Sequence, residues 1–375
     1  MSPTEVSPAG RRARDLGIVI GGLPVGPNNA ITDVSGVRVG HCTLIQGDGR
    51  LVPGTGPVRT GVTIVEPRPR IWETPIVAGF HRLNGNGELT GTHWIRESGQ
   101  LTTPIGLTNS HSVGTVRDAI AAQIHHERGD GAYWCLPVVG ETYDGLLNDI
   151  NGFHVEPAHV AAAFAALAAG PVAQGGVGGG TGMICHEFKG GIGSSSRQVA
   201  LGDRSYTVGV LVQANHGRRA RLRVNGAPVG ERIGSDVIPS AHDEAARAAG
   251  SGSIIVIVGT DAPLLPHQCD RLAQRATLGI GRTGGTGETL SGDLLLAFST
   301  GNDLPPAAGV VDQPYDELTL RAVPQSAQDL LCDAVIDATE EAILDAMLCA
   351  TTMTGRDGIT AHALDPDLLL AALAR

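Results

Sequence analysis

The chain of 375 residues carries a net charge of −11, with 42% hydrophobic, 17% charged and only 3% aromatic residues. That length fits one large domain or two, and that balance fits a globular protein whose core is built from Ala, Val, Leu and Ile. An acidic chain with no basic stripe excludes nucleic acid and anionic membrane surfaces as partners, and the 53 glycines, which follow no three-residue period, exclude collagen.

Arg11, Arg12 and Arg14 lie in a stretch that reads as a flexible tail over residues 1–15. The following "LGIVIGGLPVG" is broken by glycine and proline, so no signal peptide is expected. No run of about 20 apolar residues follows either, which points to a soluble cytoplasmic protein. From Leu16 onward short apolar runs alternate with glycine turns and helical patterns, with no linker and no repeat, so 16–375 reads as one domain. Residues 28–60 read as a long loop. "GVTIVEP" (61–67) predicts a strand. "TVRDAIAAQIHHERG" (115–129) predicts a helix closed at Gly129. "PAHVAAAFAALAAG" (157–170) has the proline-first, glycine-last polarity of a helix. "YTVGVLVQ" (206–213) predicts a strand and 214–240 a second long loop. "SAHDEAARAAG" (240–250) predicts a helix with Ser240 as N-cap and Asp243 three residues on. "SIIVIVGT" (253–260) and "LLLAFST" (294–300) predict strands. "AQDLLCDAVIDATEEAILDAMLCA" (327–350) predicts the longest helix, with Leu330, Ala334, Ile336, Ala338, Ala342, Ile343 and Met347 on a broad apolar face. Strands and helices mixed throughout indicate a layered α/β or α+β architecture.

The six cysteines form no CxxC pair and several stand in apolar contexts, as reduced buried thiols do. The thirteen histidines, among them His111, His125, His126 and His186, show no paired ligand spacing, and no metal is expected. Asp144, Asn148 and Asp149 read as turn and cap residues. "GGVGGGTG" (175–182) lacks the GK[ST] ending of a phosphate loop, so its glycines read as points of close backbone approach to the active site or to a neighbouring subunit.

The stretch "GSGSIIVIVGT" places Gly252-Ser253 at the mouth of a greasy strand. Two readings are open. Ser253 can simply end a glycine turn. Alternatively, its hydroxyl can attack the Gly252 carbonyl through a five-membered ring, turning the peptide bond into an ester that water cleaves. Glycine permits the backbone this requires, and a rigid strand holds the hydroxyl. The product is a serine carrying both a nucleophile and a free α-amine able to act as a base near neutral pH. Ser291-Gly292-Asp293 forms a second serine-containing turn ahead of an apolar strand. Asn215 before a loop glycine, Glu141-Thr142-Tyr143 in a loop and Trp134 in an apolar context are, by themselves, ordinary turn, surface and core residues.

"GSIIVIVGTDAPLLP" resembles the start of the small subunit in the DmpA family of L-aminopeptidase/D-esterases, relatives of the β-peptidyl aminopeptidases. "GPNNAITDVSGVRVGHCTL", "LNGNGELTGTHW", "LTNSHSVGTVRDA", "VVGETYDGLLNDINGFHV", "GGVGGGTGMICHEFKGGIGSSSR" and "LVQANHG" are similar to further blocks of that family, in family order. The resemblance implies a four-layer αββα sandwich and a precursor cut between Gly252 and Ser253 into chains 1–252 and 253–375. It implies Ser253 as nucleophile, assisted by Ser291 and Asp293, with Asn215 in the oxyanion hole and Tyr143 beside the nucleophile. Glu141 is then expected to hold the substrate's ammonium and Trp134 to line the pocket. No cofactor is expected. The substrates implied are small peptides, amides or esters, and the two-chain protomers are expected to self-associate as tetramers. An acyltransferase of the ornithine acetyltransferase type shares the fold but uses threonine where Ser253 stands. A catalytically silent binding relative would leave the chain whole.

Overall fold

The computed structural model describes residues 10–129, 134–244, 252–306 and 317–374. Two sheets stack face to face. The smaller has the order β1-β2-β5-β6, from β1 (Arg38–Gln46), β2 (Val58–Glu66), β5 (Ile105–Asn109) and β6 (Val138–Thr142). The larger has the order β4-β3-β12-β11-β10-β9, from β3 (Ile76–Gly85), β4 (Gln100–Leu101), β9 (Gly191–Leu201), β10 (Arg204–Asn215), β11 (Ser253–Thr260) and β12 (Gly292–Ser299). A small hairpin, β7 (Ile184–Cys185) and β8 (Phe188–Lys189), precedes β9. Helices α2 (Val113–Arg128) and α3 (Pro157–Ala165) cover the smaller sheet, while α6 (Pro266–Arg282) and α7 (Gln325–Leu348) cover the larger one. This is the αββα sandwich that the sequence implied. Shorter helices complete the chain: α1 (Thr92–Ser98), α4 (Val229–Arg232), α5 (Ala241–Glu244) and α8 (Pro366–Leu373).

The two-residue period of the strands builds two cores. On β11, Ile254, Val256 and Val258 face α6 and α7, whereas Ile255 and Ile257 face the smaller sheet. On β12, Leu295 and Ala297 take the helical side and Leu294, Leu296 and Phe298 the inter-sheet side. Strands buried on both faces read as continuous apolar runs, which is why β11 and β12 are plain in the sequence. The same alternation assigns Ser253 to the inter-sheet face of β11.

The predicted strands widen by a few residues, to 58–66, 204–215 and 292–299, while 253–260 is as expected. Helix α2 ends at Gly129 in the left-handed conformation, as its sequence implies. Helix α3 stops five residues early, because Ala168 leaves to bridge Val39 on the edge of β1. The helix expected over 240–250 is described as far as Glu244, with Ser240 Oγ accepting from His242 N–H at 3.3 Å; its remainder lies outside the described residues. In α7, Leu330 is exposed and Leu331 buried, and the helix is enclosed from Ala334 to Leu348.

The expected loop 28–60 contains β1 and the start of β2, and the unassigned stretches after 67 and 265 contain β3 and α6. Residues 10–15, expected in the loose tail, are docked. Arg12 Nε lies 2.7 Å from Asp345 and Arg14 Nε 2.9 Å from Glu341, two buried acids of α7. Glu341 also pairs with the fully buried Arg197 at 2.7 Å. Buried carboxylates need such partners, and the tail arginines supply them. All six cysteines are free thiols, and Cys185, Cys269 and Cys332 are buried.

Candidate active site

The parallel strands β11 and β12 start side by side, with Ile254 opposite Asp293. Just ahead of that pair, the Gly292 N–H donates to Ser253 Oγ at 2.9 Å. The nucleophile candidate is therefore held by a backbone donor, while its own proton remains available. Next to it, Ser291 Oγ donates to Asp293 Oδ1 at 2.5 Å. Ser253, Ser291 and Asp293 are all buried. Burial pushes the Asp293 pKa up to about 6; the Ser291 hydrogen bond opposes this and the charge of Glu288 adds to it. Aspartate thus reaches Ser291 despite its short side chain.

The turn carrying Ser291 is fixed from the end of β3 and the residue after it. Asn84 Nδ2 donates to the Glu288 carbonyl at 2.9 Å and to the Ser291 carbonyl, and Asn86 Nδ2 donates to Leu290 O at 2.8 Å. Arg221 holds the Glu288 carboxylate at 2.9 Å. The sequence blocks contain Asn84 and Asn86, but nothing local marks these two asparagines as the clamps of a turn two hundred residues away.

On the other flank, Asn215 ends β10 directly opposite Ser253 in the antiparallel ladder. Its Oδ1 accepts from Ile184 N–H at 2.7 Å and its Nδ2 donates to Tyr143 O at 2.9 Å. An amide nitrogen has two protons, so one N–H beyond that bond can serve a developing oxyanion. Gly252 is pressed against this residue: a methyl group there would lie 1.7 Å from Asn215 O and 3.2 Å from Nδ2. No other residue fits at that position without displacing the ladder.

Strand β6 crosses above the mouth of β11, so close that a methyl group on Gly140 would lie 3.1 Å from the Ile255 side chain. One residue on, Glu141 is buried; its Oε1 accepts from Glu88 N–H at 3.0 Å and its Oε2 from the Ser110 hydroxyl. Burial raises its pKa above the ordinary carboxylate value, against the lowering effect of those two bonds. Only Gly87 separates it from the serine turns, since a methyl group on Gly87 would meet Glu141 Oε1 at 2.9 Å and Gly292 Cα at 3.1 Å. Ser110, like Asn84, carried no signal beyond its place in a family-like block.

Tyr143 contributes its carbonyl to Asn215, while its hydroxyl lies over Gly145 on its own loop. Trp134 is half exposed, its ring edge-on to Trp94 at 6.4 Å. Asp144, Asn148 and Asp149 are structural, as their pattern suggests: Asn148 bridges Asp144 (3.0 Å) and Arg59 N–H (2.8 Å), and Asp149 accepts from Gly54 N–H at 2.7 Å. The glycines of 175–182 serve close packing: Gly178, at φ +51°, would drive a Cβ to 2.3 Å from Thr63 Oγ1. That contact is with the smaller sheet, whereas Gly179 and Gly180 press against Gln213 of β10 and Ile192 of β9.

The fold also collects a group that spacing conceals. Cys185, His186 and His216 are buried with one donor atom of each within 4.8 Å of the others. They are one short of the four ligands of a structural zinc, and burial holds both imidazoles well below their ordinary pKa.

Comparison with known proteins gives consistent matches over the whole chain. The model of Peptidase family S58 matches residues 29–361. The β-peptidyl aminopeptidase BapA of Sphingosinicella microcystinivorans is 49% identical, over 98% of this chain and 93% of that protein. A solved β-aminopeptidase of a Burkholderia species superposes with a TM-score of 0.89 at 52% identity, covering 97% of this chain and 98% of the other. The L-aminopeptidase D-Ala-esterase/amidase of Ochrobactrum anthropi, a variant of the Ntn-hydrolase fold, gives 0.89 at 43% identity with the same coverage.

Proposed function

Since the chain belongs to peptidase family S58 and is a hydrolase of the aminopeptidase type, we propose that it is a self-processing serine aminopeptidase with Ser253 as its nucleophile. The observation that carries this reading is the convergence at the mouths of β11 and β12 of Ser253, bonded to Gly292 N–H, with Ser291 and Asp293 on either side of that glycine, Asn215 opposite Ser253 and Glu141 across Gly87.

In the uncut chain the Ser253 nitrogen is a peptide nitrogen. Attack of Ser253 Oγ on the Gly252 carbonyl carbon forms the C–O bond, and the charge that develops falls on the carbonyl oxygen, which Asn215 Nδ2, packed against Gly252, would stabilise. The C–N bond then breaks as the proton taken from Ser253 Oγ passes to the nitrogen, which leaves as the Ser253 amine, and water hydrolyses the resulting ester to a Gly252 carboxylate and the free Ser253 hydroxyl. Ser291 and Asp293 hold the turn that aligns Ser253 Oγ and offer an acceptor for its proton. The freed amine, with a reference pKa of about 7.7–8.0, becomes the general base for later turnovers.

A substrate with a free ammonium places that charge against Glu141. An ammonium relieves the burial that raises this carboxylate's pKa, so binding and ionisation reinforce one another. The carbonyl next to the ammonium then meets Ser253 Oγ and Asn215, and the first residue is released from a small peptide, amide or ester. The test combines mass spectrometry with kinetics. The smaller piece should begin at Ser253, and aminoacyl amides should be hydrolysed while their N-acetyl forms are not. A cut elsewhere, or equal rates on both forms, overturns the reading.

A further inference from the structure

Phe153 is 63% exposed, and its backbone adopts φ 52°, ψ 45°. Bulky residues avoid that left-handed region unless the surroundings enforce it. Here they do. Asp149 Oδ2, which accepts from Gly54 N–H at 2.7 Å, also lies 2.9 Å from His154 Nε2, and Asp149 N–H donates to Pro57 O at 2.9 Å. The turn therefore presents an aromatic ring rigidly to the outside. Its ring partner is His111, stacked at 5.8 Å and 19°. His111 follows Ser110, whose hydroxyl donates to Glu141, and it is close enough to Glu141 to affect that carboxylate's ionisation. An exposed aromatic shelf thus begins at the residue after Ser110, the hydroxyl partner of the carboxylate proposed to bind ammonium.

We infer that the Phe153–His111 shelf receives the side chain of the substrate's N-terminal residue and selects aromatic and apolar side chains over acidic ones. The inference rests on the reading of Glu141 as the ammonium site. In an N-terminal residue the side chain branches within one or two bonds of the ammonium-bearing carbon, so it must lie on a surface adjoining Glu141. A ring face rewards apolar and aromatic contact. An acidic side chain would instead be held beside Glu141 and Glu88, two carboxylates that it cannot neutralise.

The test compares kcat/KM for phenylalaninamide and glycinamide. In Phe153→Ala the phenylalaninamide preference should fall about tenfold, mostly through KM. Phe153→Gly, which accepts the left-handed turn freely, should show the same fall and so separates loss of the ring from loss of the fold. Leu278→Ala, an exposed change on α6, should leave the ratio unaltered. An unchanged ratio in an active Phe153 variant overturns the shelf alone. So does an equal fall on both amides with a changed sedimentation coefficient, because Phe153 would then lie between copies of the chain. A parent enzyme inactive on both amides overturns the Glu141 reading and the shelf with it.

Discussion

The mouths of β11 and β12 look alike in sequence, each a serine beside a glycine ahead of an apolar run, yet their hydroxyls hydrogen-bond in opposite directions. At β11 the glycine precedes the serine, and Ser253 Oγ accepts a hydrogen bond from Gly292 N–H. At β12 the glycine follows, and Ser291 Oγ donates to Asp293. One hydroxyl is pinned by its lone pair and keeps its proton to give away; the other has its proton committed to a carboxylate. The lesson is that hydrogen-bond direction distinguishes the proposed nucleophile from its proposed helper where residue type does not.

The sharpest way to break this comparison is to remove one hydroxyl at a time. Ser253→Ala should abolish both hydrolysis and self-cleavage, leaving a single band at 38.5 kDa on a denaturing gel; two bands would end the assignment. Next in size, Asn215→Asp keeps the acceptor for Ile184 N–H but removes the amide donor. Self-cleavage and kcat should drop by about 10²–10³-fold, the loss of one oxyanion donor, and near-parent rates would place the oxyanion elsewhere.

Asp293→Asn probes the helper side through pH. The Asp293 pKa is raised to about 6 by burial. Because the folded value exceeds the unfolded one, the stability it contributes is full below about pH 4 and is lost as pH rises through about 6. In the uncut Ser253→Ala background, Asp293→Asn should therefore lack that decline in Tm between pH 4 and 6, while Asp144 and Asp345, also near 6, cancel in the comparison. In the chain with Ser253 intact, the first-order rate of self-cleavage should rise through about pH 6 as the carboxylate ionises. Identical profiles for parent and Asp293→Asn would remove Asp293 from the proton path. The smallest effect belongs to Glu141→Gln, which should weaken kcat/KM on free-amine substrates by about 10–100-fold, as expected for a charged hydrogen bond, and leave self-cleavage intact. Slowed processing would make Glu141 part of the cutting machinery instead.

What was legible in the sequence follows the same division between local and distant causes. Strands β10, β11 and β12 and helix α7 are long and strongly apolar, so pattern alone finds them. Strand β1, "RVGHCTLIQ", mixes buried, half-buried and exposed residues without a clean two-residue period and carries a histidine and a glycine. Strand β3 is exposed in its second half and carries Gly79, where the backbone of α6 comes too close for a Cβ. Helix α6 hides behind Gly279, which is needed for contact with α7 at Ile336 and Thr339. Of the site, Ser253, Ser291, Asp293, Asn215 and Glu141 came from family-like blocks, and the structure gathers them. Ser110, Asn84 and Asn86 act through partners far along the chain, so no window of sequence contains their meaning. Tyr143, expected beside the nucleophile, gives no side-chain signal of its own to sequence reading, and its carbonyl accepts from Asn215.

The order β4-β3-β12-β11-β10-β9 fixes the timing of the proposed cut. Residues 253–375 supply the two middle strands and the helices α6 and α7 above them, while residues 1–252 supply the strands on both sides and the whole of the smaller sheet. The pieces are woven, not docked. Neither has a closed sheet without the other, so the chain must finish folding before the bond is broken, and a cut made early would strand two halves with open edges. Fragments made separately and mixed should stay inactive, whereas the same two pieces born from one chain should travel together through any purification short of denaturation. The peptide bond before Ser253 would thus be a tether for assembly, discarded once the sheet has formed around it.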